Sequence, residues 1–369
     1  MDQQDCDALA DQLSKEPVVG MDLEFVSDDC YRPKLALVQL SWEQEGNVQC
    51  VAVDPLEVDV SGIAKICSDP SVCVLLHGGK QDLQILNNDF DVQPKNVVDL
   101  QIAAAFCGIA DQIGYANLVD KLLKKHVDKD AQHTDWLKRP LSEKQKIYAL
   151  GDVEYLIPMW RILKEKMGRK LEWFESETQT QAEQAVFKAE PRHAYQKCRG
   201  WQKLSPKRLG ILANLAEWRL QKAAETNKPL SWIVSDHGLM DLVKKRPKST
   251  KDLTRFKNLK RGQVEKHGTE LIEVLGQPPS EGPFLPSLNS EPLSDWQTGQ
   301  VYGVLGQLYF AACKESLSPK LLGSRKDVEE FIRLDKDKKT QSKFLLGWRF
   351  QLAGQKLLSW LEENPEPKT

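Results

Sequence analysis

The chain has 369 residues, of which 41% are hydrophobic and 28% are charged, and this composition excludes a wholly disordered protein. No uninterrupted apolar run approaches the roughly 20 residues that a membrane-spanning helix requires. The acidic beginning, MDQQDCDALADQL, also lacks the basic head and apolar stretch of a secretory signal. We therefore expect a cytoplasmic protein of two or three domains without a membrane partner.

The eight cysteines agree with that compartment. They contain no CxxC pair and no spacing typical of metal ligands. The pattern predicts buried free thiols and argues against a disulfide framework or a zinc site.

The formal net charge of -2 is an average over three regions of different charge. Residues 1–190 carry 20 basic and 33 acidic side chains, residues 191–276 carry 19 and 8, and residues 277–369 carry 12 of each. A strongly basic segment is typical of a protein with a polyanionic partner. The near-neutral total therefore does not argue against nucleic acid.

Residues 1–190 show the alternating strand and helix patterns of an α/β domain. Apolar, β-branched runs predict strands at Pro17–Val26, Leu35–Trp42, Val48–Val53 and Val72–Leu76. Helical periodicity predicts helices at Asp82–Asn87, Gln101–Cys107, Tyr115–Leu123 and Glu143–Lys166.

The rest of the chain indicates helical domains and a linker. From about Leu204, the sequence SPKRLGILANLAEWRLQKAAE has a Ser-Pro start and apolar residues at helical spacing. The Pro-rich stretch GQPPSEGPFLPSLNSEP indicates a linker. Further helical patterns follow, ending with KFLLGWRFQLAGQKLLSWLEEN.

Two acids stand near the end of the first predicted strand, in the order Asp22-Leu23-Glu24. Because side chains alternate along a strand, both carboxylates share one face and Leu23 points into the opposite layer. Carboxylates this close repel each other unless cations lie between them. Taken alone, the motif is equally compatible with an exposed sheet edge.

Two more acids follow apolar runs. Asp82 comes after a predicted strand, a Gly-Gly turn and the start of a helix, where an acid can also simply favour the helix N-terminus. Tyr148 and Asp152 stand four residues apart on a predicted helix, so the phenol and the carboxylate can converge. The alternative for this pair is a core tyrosine beside a solvent-exposed aspartate.

Together these five residues predict a site for two divalent metal ions. Hard cations such as Mg²⁺ prefer oxygen ligands, and two ions about 4 Å apart require carboxylates from several elements. Such a pair of ions activates water and stabilises the attacking and leaving oxygens of a phosphoryl displacement. The candidate residues are Asp22, Glu24, Asp82 and Asp152 as ligands, with Tyr148 beside them.

The order D-x-E, then D, then Y-x-x-x-D resembles the tyrosine-bearing branch of the proofreading-exonuclease superfamily. The segments LEFVSDDCYRPKLALVQLSW, VVDLQIAAAFCG and TDWLKRPLSEKQKIYALGDVEYLIPMW resemble bacterial ribonuclease D more closely, and the resemblance spans essentially the entire chain. It implies that the four carboxylates bind the metals and that Tyr148 orients the attacking water. The family most often has Thr where this chain has Leu23, a core-facing position at which we expect little effect.

The same resemblance implies three domains. The pattern WRLQKAAETNKPLSWIVSDHGLMDLVKKRPKSTKDL resembles a helicase-and-ribonuclease-D C-terminal (HRDC) domain, and SRKDVEEFIR with LLGWRFQLAGQKLL resembles a second, divergent copy. The implied organisation is an α/β ribonuclease H-like exonuclease domain with a mixed sheet over 1–192, a basic HRDC domain over 203–276, a Pro-rich linker over 277–292, and a second all-α HRDC-like bundle over 293–366.

Candidate RNA contacts come from two places. Phe25, Gln39 and His77 lie on or after strands near the predicted site, although core packing is the alternative for Phe25. Nine basic residues and one acidic residue lie between Lys244 and Arg261, a plausible grip on a phosphate backbone. The alternative is a solvated helical face. The basic candidates are Lys244, Lys245, Arg246, Lys248, Arg255, Lys257, Lys260 and Arg261.

We therefore expect a 3′→5′ exoribonuclease that depends on Mg²⁺ or Mn²⁺ and releases 5′-mononucleotides. The resemblance implies a monomer whose substrates are tRNA precursors and other small stable RNAs with a free 3′-hydroxyl end. Two alternatives remain open: a DNA-directed 3′→5′ exonuclease and a non-catalytic RNA-binding adaptor of the same fold.

Overall fold

The computed structural model describes residues 1–127, 134–186, 191–281, 292–334 and 339–365. The chain divides into two compact units, one formed by residues 1–26, 35–187 and 293–369 and the other by residues 27–34 and 188–292. The region expected to form a second HRDC-like bundle therefore belongs to the unit that contains the sheet. Most of the predicted linker, residues 282–291, lies outside the described residues.

A five-stranded sheet with the strand order β3-β2-β1-β4-β5 forms the centre of the first unit. The strands are β1 (Val18–Val26), β2 (Lys34–Gln44), β3 (Asn47–Val53), β4 (Cys73–Leu76) and β5 (Val97–Asp99). β4 pairs in parallel with both β1 and β5, whereas β2 and β3 are antiparallel. The sheet is therefore mixed, as expected, and the four predicted strands are confirmed to within two residues.

Helices follow and precede these strands in the first unit. They are α1 (Gln3–Leu13), α2 (Ser61–Lys65), α3 (Lys80–Phe90), α4 (Leu100–Phe106), α5 (Tyr115–Leu123), α6 (Glu143–Glu154), α7 (Leu156–Met167) and α8 (Leu171–Val186). The predicted helix over 143–166 is wrong in one respect, because it is two helices that meet at Tyr155. Pro158 has no N–H and its ring clashes with the carbonyl four residues earlier, which explains why α6 ends at Glu154.

The second unit is helical, as the periodicity predicts. Its helices are α9 (Pro206–Thr226), α10 (Leu230–Ile233), α11 (Asp236–Lys245), α12 (Thr250–Leu253) and α13 (Arg261–Gly276). Buried side chains of α9, including Leu212 and Leu215, pack with Leu239 and Leu242 of α11 and with Leu271 of α13.

The C-terminal helices share a hydrophobic core with the sheet domain. They are α14 (Asp295–Lys314), α15 (Pro319–Leu322), α16 (Arg325–Arg333), α17 (Gly347–Arg349), which continues through a π-helical turn at Phe350–Gly354, and α18 (Gln355–Glu363). Trp348 packs against Phe106 of α4, with ring centroids 5.3 Å apart. The buried Lys170 ammonium donates to the carbonyls of Phe106 and Glu315 at 2.7 and 3.0 Å. This continuous core explains why residues 293–365 do not form a separate body.

All eight cysteines are free, but the predicted burial holds only for Cys6, Cys67 and Cys198; four others are partly exposed, and Cys313 is exposed. None of the helices in the described ranges is long and apolar enough to cross a lipid bilayer.

Candidate active site

The strand β1 presents its two acids on one face. Val19, Met21 and Leu23 are buried in the hydrophobic layer on the opposite face, so the predicted orientation of Leu23 is confirmed. The face that carries Asp22 and Glu24 is tightly packed, because a Cβ at Gly20 would lie 2.3 Å from the Ser41 hydroxyl oxygen.

Asp82 reaches the site from the first turn of α3 and is only 7% exposed. The chain turns sharply before it, and Gly78 adopts a φ of +68°, a conformation that side chains other than glycine rarely adopt. The Asp99 carboxylate accepts hydrogen bonds from the N–H groups of Gly78 and Gly79 and so holds this turn in place.

The helix α6 supplies the last two predicted residues, Tyr148 and Asp152. It begins with a capping box in which Ser142 and Gln145 satisfy each other's backbone N–H groups. The Tyr148 ring packs against Trp136, with ring centroids 5.9 Å apart. Tyr148 and Asp152 lie on the side of α6 that faces the acids of β1, since both acids interact electrostatically with the Tyr148 hydroxyl.

Three of the four predicted ligands form a compact group. Asp22, Glu24 and Asp152 each offer one carboxylate oxygen, and these oxygens all lie within 4.8 Å of one another. Asp82 is outside this group of three but close enough that its charge raises the pKa of both Asp22 and Glu24. The structure therefore brings together side chains that are 130 residues apart in the sequence.

Burial and mutual repulsion disfavour the charged forms of these acids. Burial, with a smaller effect from Asp99, raises the pKa of Asp82 to about 7. Burial raises the pKa of Asp152 to about 6, although hydrogen bonding with Tyr148 opposes the shift. The pKa of Glu24 rises to about 8 because of burial and then of Asp152.

The same two causes raise the pKa of Asp22 well above its ordinary value, with Asp82 as the strongest neighbour. A divalent cation would remove the repulsion and favour the charged carboxylates. Carboxylate oxygens from three separate elements are also the donors that Mg²⁺ and Mn²⁺ prefer. The residues present therefore fit a divalent metal centre.

The other strand-borne candidates have different surroundings. Phe25 is partly buried against the hydrophobic layer behind β1. Gln39 is completely buried, and neither amide atom has a hydrogen-bond partner among the described residues. It therefore has no surface to offer a nucleotide in this structure.

His77 lies at the end of β4, where its Nε2 is 2.9 Å from the Ile113 carbonyl oxygen. Its ring packs edge-on against Tyr115, whose hydroxyl donates to the Gly151 carbonyl at 2.8 Å. Gly151 precedes Asp152, so this contact connects the β4–α3 turn with the acidic part of α6. Tyr115 and Asp99 are contributors that sequence reasoning missed, although Asp99 lies in the segment VVDLQIAAAFCG.

The eight basic candidates are exposed and belong to the second unit. Four of them, Lys245, Arg246, Lys248 and Arg255, line an open cavity of about 460 Å³ together with Phe256. The Lys245 ammonium lies 4.8 Å from the centre of the Phe256 ring. Arg261 lies outside this lining and is paired with Glu265.

Comparisons with known proteins identify the families that two regions of the chain match. Residues 1–168 match a family model described as a 3′-5′ exonuclease, and residues 208–275 match the HRDC domain. The second HRDC-like region stays a prediction. A ribonuclease D of Shewanella sp. (strain ANA-3) is 31% identical over 96% of this chain and 92% of its own length. A ribonuclease D of Gluconacetobacter diazotrophicus is also 31% identical, over 96% of this chain and 90% of its own length.

Solved structures show the same similarity. The crystal structure of Escherichia coli RNase D, described as an exoribonuclease involved in structured RNA processing, has a TM-score of 0.85 and 26% identity, and the match covers 99% of this chain and 98% of that one. The catalytic core of RRP6 from Trypanosoma brucei has a TM-score of 0.55 and 21% identity over 74% of this chain and 76% of that one, which supports the fold alone.

Proposed function

Because this chain belongs to the ribonuclease D family and is a 3′→5′ exoribonuclease, we propose that it removes 5′-mononucleotides from RNA by metal-dependent hydrolysis at the site of β1, α3 and α6. The observation that carries the proposal is the group of three carboxylate oxygens within 4.8 Å of one another, contributed by Asp22, Glu24 and Asp152.

The proposed roles are divided between the four carboxylates and Tyr148. Asp22, Glu24, Asp82 and Asp152 would hold two divalent ions, Mg²⁺ or Mn²⁺. When bound, the ions lower the pKa of water and neutralise charge on the scissile phosphodiester. Tyr148 positions the attacking water through its hydroxyl, which stays protonated because burial and the nearby Asp152 raise the pKa of Tyr148. The buried surroundings strengthen these electrostatic interactions.

The proposed substrates are RNAs with a free 3′-hydroxyl end, above all tRNA precursors and other small stable RNAs in the cytoplasm. The enzyme acts as a monomer in this proposal. The exposed basic residues of the second unit hold the RNA backbone, and four of them line the cavity beside Phe256.

Digestion of a 5′-labelled tRNA precursor with a 3′ extension tests the function. We expect stepwise shortening from the 3′ end with Mg²⁺ and none with EDTA. A DNA strand of equal length, tested in parallel, distinguishes RNA from DNA preference. Full activity of Asp152→Ala would contradict the site assignment, and binding without any hydrolysis would favour the adaptor alternative.

The contribution of the basic residues is tested separately. Lys245→Ala with Lys248→Ala should weaken binding of single-stranded RNA in EDTA. The slope of log Kd against log salt concentration should fall by about 1.4, because each lost contact to a single strand contributes about 0.7. The exposed pair Lys203→Ala with Lys207→Ala removes the same charge elsewhere in the second unit and serves as the control.

A further inference from the structure

A small basic cavity lies between α8 and the C-terminal helices of the first unit, away from the acidic group on β1. Its volume is about 320 Å³, at the lower end of the range typical of small-ligand pockets. We call it the Trp173 pocket. It is lined by Arg169, Trp173, Ala311, Lys314, Glu315, Gln351, Leu352 and Lys356.

The charge of the Trp173 pocket is positive. Its three cations face one acid, Glu315, and that acid is already paired with Arg169. Lys314 and Lys356 are exposed and have no ion-pair partner among the residues that the structure describes. Two uncompensated ammonium groups therefore point to an anionic ligand, although the C-terminal region as a whole is neutral.

The aromatic wall of the pocket is firmly supported. Trp173 stacks on Trp348 with ring centroids 6.0 Å apart and an angle of 20° between the planes. Its indole N–H donates to the Gln351 side-chain oxygen at 3.2 Å. Trp348 is buried and its own indole N–H donates to Glu177 at 3.1 Å. The outer Trp173 ring is thus held in a fixed plane, which lowers the entropic cost of stacking a base against it.

A second aromatic side chain extends the surface along α14. Phe310 is 71% exposed and stands four residues before Lys314, on the same side of the helix. Three other aromatic side chains of α14, Trp296, Tyr302 and Tyr309, are also exposed, at 43%, 59% and 49%, but less so than Phe310. Aromatic rings beside cations are the combination by which proteins bind single-stranded nucleic acid without sequence preference.

We propose that the Trp173 pocket and Phe310 form an accessory binding site for single-stranded RNA, with phosphates on Lys314 and Lys356 and bases against the aromatic rings. The inference rests on the proposed function, since it takes RNA as the anionic ligand. It gives the C-terminal helical region a role in holding the substrate, in addition to the basic surface of the second unit.

Binding of a labelled 20-nucleotide uridylate oligomer to the full chain in EDTA tests the site by fluorescence anisotropy. We expect Lys314→Ala with Lys356→Ala to raise Kd about tenfold and to lower the slope of log Kd against log salt by about 1.4 units. Phe310→Ala should raise Kd about fivefold without changing that slope, because stacking carries no charge. Lys15→Ala with Lys65→Ala, which removes two exposed lysines elsewhere in the same unit, should change Kd less than twofold.

Equal effects of the two double variants would overturn the inference, because they would show only a general loss of positive charge. Polyglutamate is a second competitor. If it displaced the labelled RNA at the same concentration as unlabelled uridylate does, the inference would also be overturned. Hydrolysis with Mg²⁺ keeps the two proposals apart. If the enzyme hydrolyses RNA but the pocket variants bind it like the control, only the accessory site is refuted. If binding depends on the pocket but no RNA is hydrolysed, only the proposed function is refuted.

Discussion

Asp99 Oδ1 accepts the backbone N–H of Gly78 at 2.9 Å, and this hydrogen bond fixes the turn that aims Asp82 at the acidic group. The other oxygen of the same carboxylate accepts the N–H of Gly79 at 3.2 Å. Oδ1 also caps α4 by accepting from Gln101 at 2.8 Å. One side chain thus connects the end of β5, the beginning of α4 and the beginning of α3.

We predict that Asp99→Ala raises the Mg²⁺ concentration needed for half-maximal hydrolysis about 10- to 100-fold, the usual effect of losing a group that orients a metal ligand. The reason is that the turn before Asp82 loses both of its acceptors. The measurement is a Mg²⁺ titration of RNA hydrolysis, together with a thermal melt that records the lost α4 cap.

Asp99→Asn is the matched control. It removes the charge that contributes to the raised pKa of Asp82 but keeps one acceptor oxygen for the turn. We expect its Mg²⁺ requirement to stay within about threefold of the wild type, since the remaining oxygen still orders the turn. An unchanged requirement in Asp99→Ala would show that the turn does not depend on Asp99.

The acids of β1 could be placed from the sequence, whereas the contacts of Asp99 could not. Alternation along β1 was enough to put Asp22 and Glu24 on one face and Leu23 on the other, because a strand repeats every two residues. The turn residues that donate to Asp99 lie 20 and 21 residues before it, and these contacts depend on the parallel pairing of β4 with β5. No local periodicity records such a pairing, and β5 itself has only three residues.

The C-terminal region shows the same limit at the level of domains. Helical periodicity indicated helices after residue 292 but not the surface against which they pack. That surface is shared with the sheet domain, through Trp348 on Phe106 and through the Lys170 contacts. α1 was also missed, because its apolar residues Cys6, Leu9 and Leu13 are few among acids and amides.

We predict that Tyr148→Phe lowers kcat about 100-fold, the lower end of the range for a side chain that orients or transfers a proton. KM should change less than about twofold, because the hydroxyl is proposed to act on the water and the carboxylates remain. Steady-state kinetics on single-stranded RNA measure both. Tyr155→Phe, a hydroxyl deletion just after α6, is the control; a Tyr148→Phe enzyme with more than half of the wild-type kcat would refute the role.

The raised pKa values predict how the stability of the metal-free protein depends on pH. Unfolded carboxyl groups titrate near 4, whereas Asp152, Asp82 and Glu24 titrate at about 6, 7 and 8 in the folded protein. The folded state therefore binds more protons between these values. The stabilising effect is complete below about pH 4 and is lost as the pH rises to about 8.

Thermal melts at pH 5 and pH 8, with EDTA or with Mg²⁺, check this dependence. We expect Mg²⁺ to raise Tm more at pH 8, because protons compete with the metal for the carboxylates at pH 5. In a variant with Glu24→Gln and Asp82→Asn, the Tm in EDTA should depend much less on pH between 5 and 8. All other titrating groups contribute equally to the wild type and the variant. Parallel Tm curves for wild type and variant would contradict the assignment.

A buried ion pair joins α17 to α8. The Arg349 guanidinium donates to both oxygens of Glu177, at 2.7 and 2.9 Å, and the two side chains are only 14% and 9% exposed. Although burial opposes it, Arg349 holds the pKa of Glu177 below its ordinary value. Arg349→Met should lower the free energy of unfolding by about 3–5 kcal/mol, because an unpaired charge stays buried.

Urea denaturation measures this loss, and Arg325→Met is its control. The Arg325 side chain is 49% exposed in its pair with Glu329, so its removal should cost much less stability than the loss of Arg349. If both variants lost the same stability, the ion pair with Glu177 would not be what attaches the C-terminal helices to the sheet domain.

A substitution of Gln39 distinguishes a role in core packing from a role in binding RNA. It stands between Leu37, which packs with Ala149, and Ser41, whose hydroxyl donates to the Val153 carbonyl at 2.9 Å. Its side chain therefore lies under the part of α6 that leads to Asp152. Gln39→Ala leaves a cavity at that contact but also removes two buried polar atoms without hydrogen-bond partners, so it should lower the free energy of unfolding by about 1 kcal/mol or less. RNA affinity in EDTA should stay within about twofold, and a tenfold loss of affinity without loss of stability would restore Gln39 as a nucleotide contact.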